Sequence, residues 1–252
     1  MDFTIDSYRK LVAALIAQNC KFQTFEAFLS APLKNSIVLR HDVDLLPQNS
    51  LAFARIQHGY GIKGVYYFRA VPESWDEKII LEVAALGHEV GYHYECLTTC
   101  GGDVSKAIVD FSENLEKLRK LVPVSTICMH GSPLSKYDSK GLWKTYSYQD
   151  FGIIGEPYFD VDFNQVLYLT DTGRRWDGEQ VSVRDKVNGR QTNHHFKSTG
   201  DIIQAVMKNQ LPNQIMFTFH PQRWSNQPVA WLKELLLQNT KNIIKKYFFV
   251  KK

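Results

Sequence analysis

Five apolar stretches of this chain end in residues able to hold a cation or move a proton. SIVLRHDVD ends in Asp42 and Asp44, HEVGYHYE in His93 and Glu95, VSTICMH in His130, VLYLTD in Asp171 and IMFTFH in His220. Carboxylate oxygen with imidazole nitrogen is the ordinary ligand set for zinc and other first-row divalent ions, and a catalytic site keeps one position open beside three protein ligands. Two carboxylates spaced i, i+2 on a strand project to one side and repel each other. That conflict suggests one acid binding a metal while its neighbour takes protons, with Arg40 nearby to separate their roles. Asp44, His93 and one further residue would complete a metal site, leaving His220 free to act as an acid with Asp171 orienting its ring.

These residues need elements that bring strand ends together. Apolar strands alternate with helical stretches over the first half of the chain: strand 36–44, helix 48–57, strand 64–70, helix 76–86, the HEVGYHYE strand, helix 103–122 and the VSTICMH strand. That rhythm predicts an α/β fold with parallel strands and helices packed outside, in which functional residues collect beyond the strand ends. The second half is less regular, with strands expected at 151–154 and 166–170, a helix at 200–209, the QIMFTFH strand and a last helix over 228–244. The expected organisation is a single domain over 1–252, its chemistry carried by residues 36–222, with helices 5–19 and 228–244 packed on it.

Composition narrows the partners. Net charge is +4, and the basic residues are dispersed, which argues against nucleic acid as a ligand. The exception is KNIIKKYFFVKK at 241–252, where five lysines surround apolar residues. It predicts at most a weak peripheral contact with an acidic membrane. No run approaches the roughly 18 apolar residues of a membrane span. The first helix lacks a basic leader, and four cysteines without an export signal fit reduced thiols, so a cytoplasmic protein is expected.

The order RHDVD, GHEVGYH, a GSP loop, DTGRRW and FTFHP resembles the polysaccharide deacetylase family, carbohydrate esterase family 4, over roughly residues 36–222. The resemblance implies a distorted (β/α)7 barrel, a divalent metal (zinc first, with cobalt, nickel or manganese as alternatives) and hydrolysis of acetyl groups on a sugar or glycan, here in surface polysaccharide or lipopolysaccharide synthesis. It also implies Asp42 as catalytic base, Asp44 and His93 as metal ligands and His220 as catalytic acid. Two departures stand out. Where the family has a second histidine, four residues after the first, this chain has Leu97, so the third ligand is expected from His130, with Glu95 as the alternative. The family's Arg-Pro loop is replaced by HGSPLSKYD, so Arg40, Arg174 or Arg175 would orient Asp42. Ser132, Arg174, Arg175 and Trp176 are expected to meet the substrate, while His194 and His195 are expected to be structural or part of a substrate rim. A non-catalytic sugar-binding homologue is the alternative function, with Leu97 as its motive.

Overall fold

The computed structural model describes residues 1–132, 135–176, 185, 187, 189 and 195–248. In chain order, α1 (Ile5–Ala17), β1 (Lys21–Gln23) and α2 (Phe25–Ser30) precede β2 (Ser36–Val43). Then come α3 (Pro47–Gly59), β3 (Val65–Phe68), α4 (Glu77–Ala85), β4 (Glu89–Tyr94), α5 (Cys96–Thr99), α6 (Val104–Arg119) and β5 (Ile127–Met129). The chain ends with α7 (Pro157–Asp160), β6 (Leu167–Thr170), α8 (Thr199–Met207), β7 (Gln214–Phe219) and α9 (Pro228–Phe248). Every strand pairing is parallel, in the order β5-β4-β3-β2-β7-β6, with β1 beside the first residues of β2. This is a distorted barrel that stays open: among the described residues β5 and β6 form its two free edges.

Both faces of such a sheet are buried, and the two faces do different work. On β2, Ile37, Leu39 and Val43 face the helices and join a large core with Tyr66, Phe68, Tyr92, Tyr94, Phe217 and Phe219. His41 belongs to this outer layer. Its Nδ1 lies 3.0 Å from the Val65 carbonyl and its ring stacks on Tyr66, so it packs behind the site as the alternation of strand side chains requires. On the inner face Val38, Val65, Tyr67, Cys128, Tyr168 and Met216 form a smaller apolar plug. Moving along the strands from this plug toward their C-terminal ends, the inner face becomes charged: Val38 gives way to Arg40 and Asp42, and Cys128 to His130.

Two local features set that layer. Gly91 on β4 is required because a Cβ there would come within 2.3 Å of the Tyr67 ring, which crosses the inner face beneath His93. Between β2 and α3, Leu46 adopts a left-handed backbone (φ 53°), turning the chain sharply after Asp44 before Pro47 opens the helix. The strand expected at 151–154 is not formed. Tyr148–Phe151 is a 3-10 helix ended by Gly152 at φ 68°, and the segment reaches the sheet edge only through an isolated bridge between Gly155 and Thr126.

Candidate metal and proton-transfer site

A cavity of about 800 Å³ opens over the charged ends of the strands. Within it, Asp44 Oδ1 lies 3.5 Å from His93 Nε2 and 3.5 Å from His130 Nε2. This oxygen is buried and has no hydrogen-bond partner. Three ligand atoms arranged tetrahedrally at about 2.1 Å from one ion stand roughly 3.4 Å apart, so the spacing suits a divalent metal. The tautomers agree. His93 Nδ1 faces the Cys128 carbonyl at 2.9 Å and His130 Nδ1 faces Glu95 Oε2 at 3.1 Å, so each Nδ1 carries the proton and each Nε2 presents a lone pair.

Glu95, the alternative ligand, occupies a different position from the one expected. Its Oε1 accepts from Arg69 Nε at 2.7 Å and its Oε2 from His130 and the Ser132 hydroxyl, so both oxygens are spent bracing His130. Burial pushes its carboxyl up, but His130 and Arg69 outweigh this and pull it down to about 2. Ser132 does line the cavity, as expected, while tied into the same brace.

Asp42 sits beside the cluster, its Oδ2 3.6 Å from His93 Nε2. Arg40, two residues earlier on the same face of β2, clamps it through Nε to Oδ1 at 2.8 Å and Nη2 to Oδ2 at 2.6 Å. Burial favours the neutral acid, yet the guanidinium and then His93 overcome it and hold Asp42 below the usual carboxylate range. Asp44 is held well below that range, the imidazoles of His93, His130 and His220 together exceeding the opposing effect of burial.

Across the cavity, His220 presents Nε2 3.9 Å from Asp44 Oδ2 while its Nδ1 meets Asp171 Oδ1 at 2.5 Å. Asp171 is fully buried and saturated: it also accepts from the His220 backbone N–H, the Trp224 indole at 2.6 Å and Arg223 at 3.0 Å. Burial and Arg223 favour a neutral His220 ring, but Asp171 prevails and raises its pKa above the ordinary imidazole value.

Three residues expected at the substrate lie elsewhere. Trp176 is buried against Phe217, Phe219 and Trp224, donating its indole N–H to Thr199 Oγ1 at 2.9 Å, because the hydrophobic layer under α8 claims the ring. Arg174 turns at φ 57° toward α9, stacks 4.3 Å from the Trp231 ring and donates to its carbonyl, so Arg40 alone of the three candidate arginines holds Asp42. Arg175 is half-buried and is not among the residues lining the cavity. His194 lies outside the described residues, and His195 is exposed.

The cavity also contains residues that the motifs do not indicate. Asp185 accepts from Tyr158 at 2.9 Å, Thr170 at 2.8 Å, Tyr168 and Thr172; burial opposes its charge, but Arg40 and His220 help hold it at about 2. Gln222, two residues after His220, donates to Asp44 Oδ2 at 3.1 Å. Arg69 had a signal available, since it directly follows an apolar strand; Asp185 stands in an irregular stretch and had none.

No protein-family model and no curated protein matches the sequence. Solved structures do align with it. A family 4 carbohydrate esterase pseudoenzyme from Bacillus anthracis is 14% identical with a TM-score of 0.45, the alignment covering 86% of this chain and 63% of that one. The catalytic domain of a peptidoglycan N-acetylglucosamine deacetylase from Eubacterium rectale is 16% identical with a TM-score of 0.45, over 84% and 87% of the two chains. A family 4 carbohydrate esterase from Streptococcus mutans is 12% identical with a TM-score of 0.44, over 86% and 84%. The neighbours are consistently family 4 carbohydrate esterases. At these identities the likeness describes the fold and not the chemistry.

Proposed function

We propose that this chain is a metal-dependent hydrolase that removes acetyl groups from a sugar or glycan. The observation that carries this reading is the convergence of Asp44 Oδ1 with the Nε2 atoms of His93 and His130, flanked by an arginine-clamped Asp42 and a carboxylate-held His220, over one cavity. A divalent ion held by Asp44, His93 and His130, zinc before cobalt, nickel or manganese, would polarise the acyl carbonyl and lower the pKa of water in the cavity.

The protein's own groups then divide the proton work. Arg40 keeps Asp42 ionised and aimed into the cavity, where it takes a proton from the water that attacks the acyl carbon. His220, oriented through Nδ1 by Asp171, delivers a proton from Nε2 to the departing nitrogen or oxygen as its bond to the acyl carbon breaks. Acetate and a free amine or hydroxyl result. Tyr137 and Tyr158 offer ring faces for a sugar, and Lys136 and Arg69 offer donors for its oxygens.

The alternative, a sugar-binding homologue without turnover, starts from Leu97, which is buried where the family's second histidine is expected. His130, from the neighbouring strand end, supplies the missing imidazole and favours the enzyme. The test is acetate release from a panel of N- and O-acetylated sugars and glycans, with and without a chelator. Release that a chelator stops and a divalent metal restores supports the reading. Stoichiometric metal with no release from any acetylated sugar moves the assignment to the binding protein.

A further inference from the structure

The last helix carries its polarity the wrong way round. Its inward side bears Glu234, Gln238 and Asn242: Gln238 is buried, Glu234 and Gln238 line the cavity, and Asn242 donates to the Gly173 carbonyl at 2.8 Å. Its outward side bears Val229, Leu232, Leu236, Ile243 and Tyr247, whose exposures are 82%, 51%, 60%, 59% and 74%. Steps of three, four, seven and four residues put these five on one stripe of an α-helix. Scattered exposed apolar residues are ordinary on a soluble surface, but a continuous stripe three turns or more in length marks a surface that meets something.

Charge selects the occupant. From Pro228 to Lys252 the sequence holds six lysines and one acid, Glu234, a net charge of +5. A second copy docking on this face would set +5 against +5. A nucleic acid would satisfy the lysines but leave a stripe that is mostly aliphatic without a partner. An anionic bilayer satisfies both, taking the stripe into its acyl boundary and the lysines among its headgroups, each lysine contributing on the order of 1 kcal/mol.

We propose that α9 is a membrane-surface helix that docks this protein on an anionic bilayer. No helix among the described residues is long and apolar enough to cross a membrane, so the contact is one of lying on the surface. Because Glu234, Gln238, Lys241 and Ile244 of the same helix line the cavity, docking sets the cavity mouth beside the headgroups and suits a substrate carried in or on the membrane.

The docking claim is independent of the hydrolase reading, since its assay reads binding rather than turnover. The full chain is sedimented with vesicles of phosphatidylcholine alone and of phosphatidylcholine containing roughly one-third phosphatidylglycerol. The expected result is binding to the anionic vesicles that weakens as salt rises. The double variant Leu236→Glu/Ile243→Glu should lower the partition by at least about tenfold, and Lys241→Gln by about fivefold or less. All three side chains are exposed, so the melting temperature should be unchanged, and the lysine variant provides a check that does not perturb the apolar stripe. No vesicle binding, equal binding to neutral vesicles, or a concentration-dependent dimer dispersed by the same glutamates would each overturn the proposal.

Discussion

The two halves of the candidate site treat their buried carboxylates in opposite ways. Asp171 has every lone pair in use, taking a backbone N–H, an indole, a guanidinium and an imidazole. Asp44 buries an oxygen with no donor, facing two imidazole nitrogens whose protons are committed elsewhere. A carboxylate of the first kind is part of the scaffold, because it is complete without any guest. One of the second kind carries a desolvation cost that only a ligand removes. The contrast separates the residues that hold the acid in place from those that await a cation.

Mutations can break or sharpen this contrast. The largest expected effects fall on turnover: Asp42→Asn and His220→Ala should each lower kcat by on the order of 10²–10⁴ while bound metal per protein, measured by elemental mass spectrometry, stays at the wild-type level. Loss of metal in either variant would merge the two halves. Next, Asp171→Ala should cost about 3–5 kcal/mol in denaturant unfolding because it strands Arg223 in the interior, whereas Asp44→Ala should leave the metal-free protein as stable as before or more so. Equal destabilisation by both would erase the distinction. Glu95→Gln, which weakens the brace on His130, should lower metal affinity by about 10–100-fold in a competition titration with little change in the unfolding midpoint of the metal-free protein. The smallest functional effect belongs to Trp176→Phe, which loses the bond to Thr199 and should cost about 1–2 kcal/mol of stability with KM unchanged. A raised KM would return Trp176 to the substrate rim.

What could be read in advance followed from strand geometry. An apolar run that ends in charge places that charge beyond a buried strand, so Asp42, Asp44, His93, His130 and His220 were identifiable before their neighbours were known. The i, i+2 relation likewise set Arg40 on the same face as Asp42. Aromatic and arginine side chains carry no such positional signal. Trp176 and Arg174 lie next to a motif residue in sequence, but the layer beneath α8 and the Trp231 ring claim them, and nothing in their spacing distinguishes packing from substrate contact. The expected strand at 151–154 failed for a local reason, the left-handed turn at Gly152, which apolar composition does not reveal. Asp185 reaches the site from a stretch without periodicity, positioned by four hydroxyl donors contributed by Tyr158, Tyr168, Thr170 and Thr172.

The most direct test of the central claim is the metal content of protein purified without a histidine tag, compared with Asp44→Ala and His130→Ala. The arrangement around Asp44 Oδ1 predicts about one divalent ion per wild-type chain, removed by a chelator and restored by dialysis against zinc, and none retained by either variant although both remain folded. A wild-type protein that takes up no divalent ion, or variants that bind as much as the wild type, would contradict it.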